Sequence, residues 1–233
     1  MSTTKTVVSR EEWTKARKEL LAKERAFTHE RDALSAARRA LPAVKVDEPY
    51  VFQAAGGERT LAQLFDGKRQ LVVYHFMFDP AWEQGCKSCS MIADGFDDAV
   101  VHLAARDTSL VAVSRAPLAK LEAFQRRMGW RFPWVSSANT DFNHDYHTTF
   151  LADEAGEYNY APRSGTTARE MPGMSVFLRQ GDDVLHAYST YARGLDALMM
   201  PYTYLDLTPL GRQEDGLPFS MDWVRLHDSY GRE

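Results

Sequence analysis

Two cysteines occur in the 233 residues, and they stand three positions apart in the run Trp82-Glu83-Gln84-Gly85-Cys86-Lys87-Ser88-Cys89. A disulfide closing so short a loop restrains little of the unfolded chain, so a purely structural bridge has little physical motive. In a reducing compartment such a pair is more often redox-active or metal-binding. Exchange chemistry needs a thiolate, and an ordinary cysteine of pKa ~8.5 is only about 3% ionised at neutral pH. At the start of a helix, however, Cys86 would face unpaired backbone N–H groups and the positive end of the helix dipole. Cys89 would then lie one turn further in on the same side, able to attack a mixed disulfide at Cys86 and release the partner. Cys86 is therefore the expected nucleophile and Cys89 the expected resolving thiol. Lys87 adds a positive charge beside them, and Gly85 leaves the approach to the sulfur open.

A zinc site is the main rival: Cys86 and Cys89 with His144 and His147 make four ligands of the kind zinc accepts. Two residues separate these histidines where three to five are usual, and a second CxxC is missing. Covalent haem attachment would need a histidine after the second cysteine, and Ser90 stands there. A fold kept for binding a partner without turnover is the third class. No cofactor is called for. Around the dithiol, Trp82 either walls the site or serves packing alone. Asp79 either accepts protons near it or caps the loop, His75 is a buried strand histidine or an aid to catalysis, and Arg115 binds an anionic substrate or makes a surface ion pair. The partners this chemistry implies are a protein or small-molecule disulfide or thiol and an external thiol reductant.

The elements that must position these residues are legible in outline. Ser9 and Glu12 make a capping box, after which Trp13, Leu20, Phe27, Leu34 and Leu41 recur every seven residues until Pro42. This is a long helical arm over 1–42 with one narrow apolar seam. The seam lies against its own domain or against a second copy in a homodimer. From Tyr50 the texture changes to a short strand, a Gly56-Gly57 turn and a helical piece from Leu61 to Phe65. The run Leu71-Val72-Val73-Tyr74-His75-Phe76-Met77-Phe78 then reads as a strand buried on both faces. Cys86 to about Ala105 has one apolar helical face, and Leu110 to Val113 is the next strand, which completes a right-handed βαβ unit. A helix from Leu118 ends at Gly129. After an extended piece at 132–135, residues 139–173 read as an irregular insertion holding a short helix. Two strands around the turn at Gly181 follow, then a helix from Gly194 to Met200 and an aromatic-rich tail that covers part of the core.

The order βαβ, helix, then ββα is that of thioredoxin, and the dithiol sits where that fold keeps its own. The expected architecture is α/β: a central mixed sheet flanked by helices over 43–233, with the N-terminal arm in front. In that fold a cis-proline faces the dithiol just before the hairpin, and Pro172 stands at this place. The composition is ordinary for a globular protein, and a net charge of −4 with scattered Lys and Arg gives no general attraction to nucleic acid or anionic membranes. Apolar runs are too short for a membrane span and the first forty residues too charged for a secretory signal, so a cytoplasmic location is expected.

Val51-Phe52 through Gly57, Gly67-Lys68 and the Leu71 strand resemble the opening of peroxiredoxin and alkyl-hydroperoxide-reductase-like domains, and Val113-Ser114-Arg115 with Gly129 and Phe132-Pro133 resembles their next segment. More closely, GCKSCS, FNHDY, MPGMSVFLR, YSTYARGLD and YLDLTPLGR resemble the family catalogued as domain of unknown function eight-nine-nine, over nearly the whole chain. The resemblance implies the fold and a redox role, with no substrate attached. Arg115 or Arg179 would match the peroxiredoxin arginine. Pro80, however, is six residues before Cys86 with no threonine between, which departs from the peroxidase pattern.

Overall fold

The computed structural model describes residues 4–151, 154–163 and 168–231. The chain divides into two compact units, Met1–Pro42 and Ala43–Glu233. The first is helix α1 (Arg10–Arg39), opened by a complete capping box in which the Ser9 hydroxyl accepts the Glu12 N–H and the Glu12 carboxylate accepts the Ser9 N–H. None of its residues is buried, and Trp13, Leu20, Phe27 and Leu34 are each exposed by half or more.

Among its described residues the second unit has ten strands, eight of them in one sheet. In chain order it runs β1 (Val44–Lys45), β2 (Val51–Ala54), β3 (Gly57–Thr60), α2 (Leu61–Leu64), β4 (Gln70–His75), α3 (Lys87–Ala93), α4 (Phe96–Ala104) and β5 (Thr108–Ser114). It continues with α5 (Leu118–Met128), β6 (Trp134–Ser136), α6 (Phe142–Asp145), the small hairpin β7 (Glu157–Tyr158) and β8 (Ala161–Pro162), then β9 (Gly173–Gln180) and β10 (Asp183–Tyr191). A 3-10 segment (Ala192–Leu198) and α7 (Met200–Leu205) close it. The large sheet is ordered β1-β10-β9-β4-β5-β6-β2-β3, with β4 parallel to β5 and antiparallel to β9. A parallel βαβ unit extended by an antiparallel hairpin is the thioredoxin-like arrangement, so the fold is α/β with a mixed sheet flanked by helices.

Strand β4 lies at the centre, which is why its sequence is apolar almost without break. Its side chains alternate. Leu71 and Val73 pack with Phe52, Phe65, Phe142 and Phe177 on one face, whereas Val72, Tyr74 and Phe76 pack with Cys89, Ile92, Phe96 and Phe124 on the other. The helix after Cys86 is broken at Asp94-Gly95 rather than continuous. Carboxylates on either side of the break hold the loop after α5: Asp94 accepts the Trp130 indole N–H at 2.9 Å, and Asp97 accepts the N–H of Phe132 at 2.7 Å. A further departure is that Val51 to Thr60 forms a whole hairpin rather than one strand. The insertion near 139–173 carries α6 and β7–β8, with 152–153 and 164–167 outside the described residues.

The peptide bond before Pro172 is trans; among the described residues none is cis. The segment is pinned on both sides of that bond, since Met171 donates its N–H to the Thr148 carbonyl and the Tyr158 hydroxyl donates to the Pro172 carbonyl at 2.8 Å.

Candidate active site

Cys86 is the residue immediately before α3, and its place is set by the loop that returns from β4. Its N–H donates to the Met77 carbonyl at 3.1 Å, and its own carbonyl accepts the N–H of Ser90 and the Ser90 hydroxyl, each at 2.9 Å. Gly85 has a packing reason that the sequence reading missed. A Cβ there would lie 2.7 Å from the Phe76 ring and 2.9 Å from the Phe124 ring. The missing side chain therefore lets the loop press onto the core, rather than clearing the path to the sulfur.

Both cysteines are free thiols, Cys86 half-buried and Cys89 buried. The two differ sharply in acidity. The Cys86 thiol is lowered to about 6, first by the hydrogen bond from the Cys89 thiol, then against the cost of burial by the backbone N–H groups of Cys89 and Ser88 and by the Lys87 charge. Cys89 is pushed well up, by burial first and then by Cys86. The pair thus holds one thiolate at the front and one proton behind it. Lys87 is fixed in turn, its ammonium donating to the Asp222 carbonyl at 2.9 Å.

Cys86 and Cys89 open onto a cavity of about 390 Å³ whose wall includes Tyr74, Met77, Pro172, Met199, Tyr202 and Met221. Much of that wall comes from the C-terminal tail. The Glu214 carboxylate accepts the Tyr202 hydroxyl, the Met221 N–H at 2.9 Å and the Trp223 indole N–H at 2.8 Å. Below it Val224 and Leu226 are buried. Sequence reasoning did not find Tyr74, Tyr202 or Glu214. Tyr74 carried a signal, being a buried residue with a polar head on the β4 face that meets Cys89.

The supporting residues expected from sequence divide. Pro172 lines the dithiol cavity; Trp82, Asp79, His75 and Arg115 do not. Trp82 is 37% exposed, and its carbonyl accepts the Lys120 ammonium at 2.8 Å. Asp79 and Arg115 are brought to each other: the Arg115 guanidinium donates to Asp79 at 2.8 Å and to Glu170 at 2.7 Å. Glu170 is buried, and its carboxyl is raised, desolvation outweighing Arg115. Arg115 is thus no surface pair and no free anion site, and Asp79 anchors the loop.

His75 lies on the opposite face of β4 from Tyr74, stacked on Phe142 and Tyr146, with Nε2 at 2.8 Å from the Ser175 hydroxyl. It is a satisfied core histidine. Arg179 lies near the end of β9, its N–H donating to the Arg69 carbonyl. The zinc grouping does not form. His144 pairs with Glu154 at 3.0 Å beside a different cavity, which His147 also lines, and among the described residues no three His, Cys, Asp or Glu are grouped to hold a metal.

The model of a family described as "Bacterial protein of unknown function (DUF899)" matches residues 2–230. No curated protein matches the sequence. Among solved structures, peroxiredoxin Q of Xanthomonas campestris is similar at 14% identity over 70% of this chain and 96% of its own, with a TM-score of 0.47. Peroxidoxin BcpB of Mycobacterium tuberculosis is 17% identical over 68% of this chain and 94% of its own, at 0.44. A secreted Mycobacterium tuberculosis disulfide oxidoreductase homologous to Escherichia coli DsbE is 15% identical over 66% and 96%, at 0.39.

Proposed function

Because this chain belongs to the DUF899 family of bacterial proteins of unknown function, matched from residue 2 to 230, we propose its activity from its own site: it is a dithiol oxidoreductase. Cys86 attacks the sulfur of a disulfide, Cys89 resolves the mixed disulfide, and an external thiol reductant restores both. The observation that carries this is the placement of two free thiols, Cys86 half-buried at the start of α3 and Cys89 buried one turn inside it, with the acidity of the first lowered and of the second raised. Cys86 is thus more fully ionised at neutral pH than an ordinary cysteine. Its half-burial is enough for a small electrophile to reach it, while Cys89 stays behind it until the first bond has formed. A redox-inactive binding scaffold has no use for this asymmetry.

Alkylation by iodoacetamide across a pH series tests it. The rate should rise with a midpoint near pH 6 and vanish in Cys86→Ser. Cys89→Ser should accumulate a mixed disulfide with substrate. A midpoint near that of a free cysteine, or exchange surviving in Cys86→Ser, overturns the reading.

The reading suits a reducing compartment, and we place the protein in the cytoplasm; among the described residues no helix is long and apolar enough to cross a membrane. We assign the homodimer contact to α1, whose exposed residues at seven-residue spacing match a second copy of themselves.

A further inference from the structure

The cavity beside the dithiol has three properties that together select a class of substrate. Its volume of about 390 Å³ is at the small end of the range for small-molecule sites, roughly 300–1,000 Å³. Its charged lining is already spent. Arg212 donates to Asp206 at 2.7 Å and to Asp196 at 3.3 Å, Arg193 pairs with Asp196 at 3.0 Å, and Glu214 accepts three donors. What remains facing the space is mostly apolar, from Met77, Ile92, Leu195, Met199 and Met221.

The third property is a poorly satisfied donor. Tyr74 is fully buried, and among the described residues of Ala43–Glu233 its hydroxyl is the one buried side-chain polar atom left without a good partner. The Cys89 thiol beside it is a weak sulfur partner, and the hydroxyl reaches no nitrogen or oxygen. A buried donor held only by sulfur is poorly paired, and native structures rarely keep one so without a use.

Resting on the dithiol reading above, we infer that this cavity is the substrate site for a small, uncharged, largely apolar disulfide carrying one hydrogen-bond acceptor, and that the Tyr74 hydroxyl donates to that acceptor. The Cys86 thiolate attacks one sulfur of R–S–S–R, forming the Cys86–S–S–R bond and expelling R–S⁻ with the bonding electron pair. The Cys89 thiol gives its proton to that leaving thiolate and attacks the Cys86 sulfur, expelling a second R–S⁻. The enzyme dithiol is oxidised to a disulfide by two electrons, the substrate is reduced to R–SH and R–S⁻, and an external thiol reverses the enzyme oxidation. Charged peptide disulfides and the disulfides of folded proteins are poor fits, having no unpaired charge to meet and too much bulk to enter.

Single-turnover reduction by the full-length reduced protein tests this with two aromatic disulfides, neutral dithiodipyridine and the doubly anionic bis(nitrobenzoate) disulfide. Each rate is divided by that of dithiothreitol under the same conditions to remove intrinsic reactivity. The neutral compound should saturate and be favoured by about tenfold or more. Tyr74→Phe should raise its half-saturating concentration about fivefold, the worth of one hydrogen bond. Linear concentration dependence with no preference for the neutral compound overturns the inference while leaving the dithiol reading intact. An unchanged half-saturation in Tyr74→Phe removes Tyr74 from the site. Reduction by Cys86→Ser would instead sink the dithiol reading itself.

Discussion

Tyr74 and His75 are neighbours in sequence and differ entirely in circumstance. The phenol lies in the layer of the cysteines, whereas His75 heads a chain of hydrogen bonds through the Ser175 and Ser189 hydroxyls, 2.8 Å apart, to His186, 2.7 Å from Ser189. Burial, and then His186, lowers His75 from 6.5 to about 3. A base whose folded pKa is depressed stabilises the fold above its unfolded pKa and loses that contribution as pH falls through the folded value. The protein should therefore lose stability from pH 6.5 downward, by at most ~1.4 kcal/mol per pH unit from this group. His75→Gln should flatten the slope between about pH 5 and 6.5, above the range where carboxylates dominate, as read by urea unfolding. If the two slopes coincide, His75 already carries a proton in the fold. The place of Cys86 at the start of a helix could be anticipated from the sequence, because an apolar helical face opens there right after a buried strand. The placement of His75 could not, since which face of a doubly buried strand meets the thiols is decided by packing rather than by any local pattern.

At the scale of elements, the loops around the site are held by one ion cluster. Arg115, just past β5, reaches Asp79 in the loop after β4 and Glu170 shortly before β9, and the Thr149 hydroxyl donates to the other oxygen of Glu170 at 3.1 Å. Removing the cation from a buried pair costs about 3–5 kcal/mol, and because the Arg115 side chain keeps 24% exposure a smaller value of about 2–3 applies here. Arg115→Met should lower unfolding free energy by that amount, and adding Glu170→Gln should recover part of it, because the stranded charge is then gone. A double variant no more stable than Arg115→Met would mean that the loss comes from packing of the arginine stem. These elements were only half readable. The ends of α5 were plain: Pro117 precedes it and Gly129, at φ 69, closes it. The break at Asp94-Gly95 was not, because it depends on bonds to Trp130 and Phe132, more than thirty residues away.

For the whole molecule, the heptad-spaced residues of α1 predict a dimer by sedimentation at micromolar concentration. Leu20→Glu combined with Phe27→Glu should return it to a monomer with unchanged thiol reactivity, and a monomeric parent protein would refute that assignment. The α/β order of the remainder followed from periodicity and turn residues, whereas the tail that walls the cavity did not, since its glutamate and aromatic contacts obey no repeat. The alternation along β4 has a consequence for mutational tolerance. Both its neighbours, β5 and β9, lock it by backbone bonds from Gln70 to His75. Losing a single codon upstream within this strand would turn imidazole toward the sulfurs and phenol away from them. Deletions of that length here would abolish function even where the hydrophobic content is conserved, while the exposed stretch from Ala81 to Gln84 could absorb an extra residue.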